Sequence, residues 1–390
     1  MNEQLVDLAQ WPFWAALAAA ILLVAPLRCN QHKSATFAAI NLGFIGIVAN
    51  WHTAVWVFAG CIIAWLIALA VRHSGQRKLP FLISLGIALV IFIFHKRPEW
   101  FGGWEKPLLQ DRIAPLLHVI AYSYIALRLI ELYRAMYEER YDAPSLLDTI
   151  NYLIPFHMLA AGPIQSFDDF VTQPGEPRPV TESCMLRGVQ RIAHGVFKKF
   201  VIAFLIKKMF LTGFSVPGFY WYVEIQMFFI WLYVDFSAYS DIAVGIGTLI
   251  GVATPENFMR PYFARNIINF WERWHISLSL WIRRNLFFPV QVGLLRRTGG
   301  QFPLLCASVG FCVAFILCGM WHGLALNFLV WGCMHAAGLT IVNIYRSFLH
   351  KKLGTKGVKA YLANPWIKAA SMALTFEFVA VSHLTFFYRF

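Results

Sequence analysis

Charge is scarce in this chain. Only 14% of its residues are Asp, Glu, Lys or Arg, where a soluble globular protein carries about a quarter. The regular alternation of apolar and polar residues is missing too, which excludes the strands of a membrane β-barrel. The seven cysteines form no CxxC pair and show no His/Cys ligand spacing. Most lie inside apolar runs such as CASVGFCVAFILCG and read as small buried residues; no metal site is expected. The opening MNEQLVDLAQ carries Glu3 and Asp7 but no basic residue, so no secretory signal peptide is expected. A GxSxG nucleophile elbow and a Ser-His-Asp order are also absent.

What is abundant is apolar length. Hydrophobic residues make up 59% of the 390, and mean hydropathy is +0.58. Apolar runs near the roughly 20 residues that cross a bilayer recur along the whole chain. Helices are predicted at Trp11–Leu27, Ala35–Ala49, Thr53–Val71, Pro80–Phe94, Ile113–Leu129, Leu146–Ala160, Leu186–Leu211, Phe219–Val234, Ala238–Val252, Phe302–Met320, Leu324–Ile344 and Trp366–Phe387. The expected fold is an all-α polytopic membrane protein. It has roughly 10–12 transmembrane or re-entrant helices and a single membrane-embedded domain over residues 1–390.

The net charge of +13 sits in short loops between apolar runs: Arg72, Arg77 and Lys78; Arg283 and Arg284; Arg296 and Arg297; Arg346, Lys351, Lys352, Lys356 and Lys359. That is the positive-inside pattern, and nucleic acid is not an expected partner. Placing residues 72–78 and 346–359 in the cytoplasm puts both termini outside. Gly162-Pro163 in LAAGPIQSFDDF and the loop QPGEPRPV are turn signals. Gly247 and Gly251 form a pair that would let helices approach closely.

Some polar residues lie where lipid would penalise them. Asp235 and Asp241 occur in WLYVDFSAYSDIAVGIG, His322 in CGMWHGLALNF, and His335 in WGCMHA. Ionisable groups at membrane depth line cavities or pair with one another. Helix packing or capping accounts equally for the aspartates, and an interhelical hydrogen bond for His335. His322 stands between Trp321 and Gly323. The stretch NFWERWHISLSLWIRRN, from Asn269 to Asn285, is too polar to cross lipid and fits a re-entrant or interfacial helix. Its helical stripe is Trp271, Trp274, His275, Leu278 and Ile282. Ser279 lies one turn beyond His275.

The long block PENFMRPYFARNIINFWERWHISLSLWIRR, followed by GMWHGLALNFLVWGCMHA, resembles the membrane-bound O-acyltransferase family. The likeness is to its bacterial branch of alginate O-acetyltransferases and D-alanyl-transfer proteins of teichoic acid modification. It covers about residues 233–340, the motif core, and AAGPIQSFDDF resembles a further segment. Where the family often carries Arg-Asp after the RWHISLS helix, this chain has Arg283-Arg284.

The resemblance implies a central catalytic tunnel, with His322 as the essential residue and His275 as the second. Trp274, Trp321, Asp241, Ser279, Asn327, His335 and Arg283 are candidates for lining or supporting it. The implied reaction moves an acetyl or D-alanyl group from a cytoplasmic thioester to a hydroxyl of an envelope polysaccharide. Acetyl-CoA or a carrier protein's phosphopantetheine would be the donor, and no tightly bound cofactor is expected. His322 would act as general base, and His275 would orient the acceptor or stabilise the oxyanion. Membrane lipid and an extracytoplasmic partner resembling an SGNH hydrolase are the other expected partners, in the cytoplasmic (inner) membrane. A transporter or an inactive scaffold is the alternative.

Overall fold

The computed structural model describes residues 8, 10–27, 30–97, 100, 121–159, 161–172, 181–211, 213 and 218–386. Both termini, the loop QPGEPRPV and the first part of the predicted helix Ile113–Leu129 lie outside the described residues. Among those described, the chain is helical with no strand; one isolated bridge joins Phe258 and Trp274.

The helices are α1 (Trp11–Ala19), α2 (Asn30–Val48), α3 (Trp51–His73), α4 (Lys78–Lys96), α5 (Tyr122–Tyr137), α6 (Leu146–Leu153), α7 (Phe167–Val171), α8 (Glu182–Phe197), α9 (Phe204–Phe210) and α10 (Phe219–Ile250). They continue with α11 (Ile267–Trp271), α12 (Ile276–Ile282), α13 (Phe288–Arg297), α14 (Pro303–His322), α15 (Leu326–Ala363) and α16 (Pro365–Ser382). Among the described residues, six helical segments are long and apolar enough to cross a membrane: α3, α4, α10, α14, α15 and Pro365–Phe386. The all-α polytopic architecture read from the sequence therefore holds.

Several boundaries differ from the sequence reading for identifiable reasons. Phe219–Val234 and Ala238–Val252 are one helix, α10. Asp235 and Asp241 do not interrupt it, because Lys199 Nζ meets Asp235 Oδ1 at 2.6 Å and Arg191 Nε meets Asp241 Oδ1 at 2.6 Å. The predicted Leu146–Ala160 stops at Leu153, just before Pro155, which lacks the N–H a continuing helix needs. Gly247 and Gly251 do not form a helix-crossing pair. Val252 N–H reaches back to Gly247 O at 2.8 Å, and Gly251 sits at φ 70°, so together they close α10 with a Schellman turn.

The chain divides into two compact units. The first comprises residues 1–196 and 238–255. Its core is built on α2, α3, α5 and α6, and its irregular stretch after Leu153 is held from inside. Arg128 on α5 is fully buried and donates to the carbonyls of Leu153 and Met158 at 3.1 and 3.4 Å. Asn41 accepts from Phe156 N–H at 2.9 Å and donates to Asn151 Oδ1 at 3.1 Å. Buried non-helical backbone needs protein groups to satisfy it in this way.

The second unit comprises residues 197–237 and 256–390. Its central pairing is α14 against α15. A methyl group on Gly319 would stand 2.3 Å from Phe328 O, and one on Gly332 would stand 2.5 Å from Phe315 O. Any larger residue would push the two helices apart, along with the side chains they carry.

Candidate active site

The RWHISLS segment is not the continuous helix its stripe suggested. α11 ends at Trp271 and α12 begins at Ile276. Between them the backbone of Asn257–Met259 pairs with the chain: Met259 N–H donates to Arg273 O at 2.9 Å, and Ile276 N–H to Asn257 O at 2.9 Å. This short ladder takes up backbone groups that an unbroken helix would have used internally. His275 sits at the break with φ 42° and ψ 54°. That left-handed conformation is costly for a residue with a Cβ, and it persists only where surrounding contacts enforce it.

Asn257 enforces it through its side chain as well. Its Oδ1 accepts from Ser277 Oγ–H at 2.6 Å and Ser277 N–H at 3.3 Å, and it lies 3.2 Å from His275 Nδ1. An amide oxygen can only accept, so His275 must carry its proton on Nδ1. Nε2 is then a bare lone pair, and it is buried with no hydrogen-bond partner. His275 is 4% exposed. Burial lowers its pKa to about 3, with the charge of His322 as a second cause. At neutral pH this imidazole is uncharged and its outward nitrogen is an acceptor.

His322 closes α14, half-buried in an aromatic enclosure. The rings of Trp321, Trp331, Phe386 and Phe328 stand 4.9, 5.2, 5.5 and 6.5 Å from it. His275 and His322 thus belong to one unit and act on each other electrostatically.

His335 is a link between helices, the alternative left open above. Trp271 Nε1–H donates to its Nδ1 at 3.2 Å, so Nε2 carries the proton and donates to Ser382 Oγ at 3.0 Å. Ser382 in turn donates to Val379 O at 2.7 Å. This relay joins α11, α15 and α16 and leaves His335 no free nitrogen.

The other candidates divide. Trp274 stacks on Phe270 at 5.5 Å and packs on Phe229, supporting the wall. Ser279 donates to Trp274 O at 3.2 Å, within its own turn. Asn327 donates to Thr385 O at 2.9 Å and keeps a buried Oδ1 without a partner. Arg283 lies over the Phe288 ring at 5.2 Å. Asp241 belongs to the first unit, where it meets Arg191.

Sequence reasoning passed over Asn257, Trp331, His383 and Phe386. Asn257 lies in the PENF block between Glu256 and Phe258, where no local signal sets it apart. Nothing in the sequence brought Phe386 or His383 to this site. His383 donates from Nδ1 to Val379 O at 2.7 Å and stacks on Phe229.

The profile of the membrane-bound O-acyltransferase family matches residues 81–368. The chain belongs to that family. It is similar to the teichoic acid D-alanyltransferase of Streptococcus thermophilus, 26% identical over 88% of this chain and 90% of the relative. It is 28% identical to the teichoic acid D-alanyltransferase of Bacillus subtilis, over 60% of each chain. It is 30% identical to a probable alginate O-acetylase of Pseudomonas putida, over 73% of this chain. The matches span about 60% of the Bacillus and Pseudomonas relatives' own lengths.

Proposed function

We propose that the protein transfers an acyl group, acetyl or D-alanyl, from a cytoplasmic thioester to a hydroxyl of an envelope or exported polysaccharide. The observation that carries this reading is two interacting histidines in one unit, His322 among four aromatic rings and His275 locked with an unpartnered acceptor nitrogen. His322 takes the proton of the attacking hydroxyl, a role worth typically about 10²–10⁴-fold. His275 Nε2 accepts from a neighbouring hydroxyl of the same acceptor and so orients it, because the one proton of the attacking hydroxyl goes to His322. The Nε2 of His275 bears no hydrogen and cannot donate to an oxyanion, so of the two roles considered for His275, orienting the acceptor is the one its tautomer allows.

A thioester suits this site because its leaving group, with a thiol pKa of about 8.5, needs little acid assistance. The donor is acetyl-CoA or a phosphopantetheine arm on a carrier protein, whose length suits a reacting centre inside the membrane. That the relatives are named for teichoic acid and alginate supports a polysaccharide or polyol acceptor. The setting is the cytoplasmic membrane, and an extracytoplasmic partner completes delivery where the acceptor lies beyond reach.

The test compares envelope polymers from cells with the chain, without it, and with His322→Ala. Mild alkali releases esters, and mass spectrometry identifies the acid. Loss of the ester in both altered strains, with normal amounts of the variant in the membrane, is expected. Full ester in the His322→Ala strain would remove the assignment.

A further inference from the structure

Attack on a thioester carbonyl turns its oxygen into an anion, and an enzyme meets that charge with a donor already in place. Neither mapped histidine role supplies one. His275 offers a lone pair, and His322 is assigned to accept the hydroxyl proton. His335 spends both ring nitrogens on Trp271 and Ser382.

Trp331 on α15 is different. It is 2% exposed, yet its indole Nε1–H has no hydrogen-bond partner. Buried indole N–H groups usually find an acceptor, and one without a partner calls for an explanation. Its ring stands 5.2 Å from His322, edge-on at 81°, and 5.8 Å from Phe386. One turn earlier on the same helix, Asn327 presents its unpartnered Oδ1. Trp331 is buried among rings, and a donor in such a low-dielectric setting acts with greatest effect.

We infer that the Trp331 indole N–H is the oxyanion donor, holding the thioester carbonyl oxygen as the acceptor hydroxyl attacks. The inference rests on the acyl-transfer reading above. In the step, the hydroxyl oxygen forms a bond to the carbonyl carbon and its proton passes to His322. The carbonyl π pair moves onto oxygen, against the indole N–H. On collapse that pair re-forms C=O, the C–S bond breaks, and the thiolate recovers the proton from His322. One hydroxyl and one thioester become one ester and one thiol.

Trp331→Phe removes the donor and keeps an aromatic ring. Replacing Trp331 with β-(3-benzothienyl)alanine keeps the indole's shape while exchanging N–H for sulfur, and covers the case in which the phenylalanine variant packs poorly. Purified protein in nanodiscs is given acetyl-pantetheine or D-alanyl-pantetheine and envelope polymer from cells lacking the chain. Thiol release is followed, with His322→Ala alongside. Both Trp331 replacements should lower kcat about 10²–10³-fold, the loss typical for one oxyanion donor. Donor KM should stay within about twofold, since a donor that acts only on the transition state leaves ground-state binding alone. Thermal stability should not fall with the benzothienyl side chain.

A benzothienyl protein that works within about threefold of the parent, with His322→Ala inactive, overturns the inference and leaves the acyl-transfer reading standing. Activity in His322→Ala overturns that reading instead. A rise in KM with unchanged kcat makes Trp331 a binding-wall residue and also sinks the proposal.

Discussion

His157 of the first unit and His275 of the second share a chemical description. Each is buried, each has one ring nitrogen on a fixed oxygen, and each has the other nitrogen without a partner. His157 donates from Nε2 to Thr254 Oγ1 at 3.2 Å, because the threonine hydroxyl is itself committed to Val252 O at 3.3 Å. Burial lowers the pKa of both to about 3. The second cause separates them. Beside His157 it is Arg128, a fixed charge whose guanidinium is engaged with backbone carbonyls. Beside His275 it is His322, a half-buried imidazole at the end of α14. A depressed pKa by itself therefore marks burial. Chemistry needs, in addition, a group positioned to take a proton from the substrate.

That contrast can be broken by mutation, and the largest effect is expected at His322. His322→Ala should lower acyl transfer by about 10²–10⁴-fold, measured as thiol release from a pantetheine thioester, with membrane levels unchanged. A residual rate close to the parent's would place the base elsewhere.

A smaller and more specific effect is expected at Asn257. Asn257→Asp sets a carboxylate against His275 Nδ1–H and raises the histidine's pKa from its depressed value, since a nearby anion favours the charged ring. Protonation then removes the Nε2 lone pair. Activity should fall on the acid side and recover as pH rises, with the acid limb of the pH–rate profile displaced upward. A profile superimposable on the parent's would show that Asn257 does not control the ring.

The pH dependence of stability comes next. Both histidines are neutral when folded and titrate near 6.5 when unfolded. Below that value the unfolded chain binds more protons, so their contribution is fully present above about pH 6.5 and is lost as pH falls toward about 3. Thermal unfolding across pH 7 to 4 should show this slope, and His157→Gln should make it shallower. An equal slope in the variant would mean that other groups dominate.

The smallest effect on turnover belongs to that same His157→Gln protein. It should keep activity within about threefold while losing stability of about 1–3 kcal/mol, the usual cost of disturbing a buried hydrogen bond. A variant that folds normally and loses most of its activity would end the distinction between the two histidines.

The sequence brought forward much of the candidate site and misplaced some of its geometry. His322 and His275 stood out because polar residues in an apolar chain are costly and must be used or paired. Asp241 stood out for the same reason, but pairing with Arg191 accounts for its presence. The stripe from Trp271 to Ile282 had helical spacing, yet the chain breaks inside it. Periodicity records which residues share a buried side; it does not detect backbone pairing from residues 257–259. Asp235 and Asp241 suggested an interruption of α10 that lysine and arginine from residues 191–199 prevent.

Membrane residence and helical class were determined by the sequence alone, since they depend on the length and polarity of local runs. Family was legible there as well, because the motif blocks are long and ordered. Which nitrogen of His275 is bare, which indole N–H is left over, and which histidine is merely a link between helices were decided by tertiary structure. A tautomer follows from the partner that the other nitrogen meets, and here that partner is Asn257, 18 positions away along the chain.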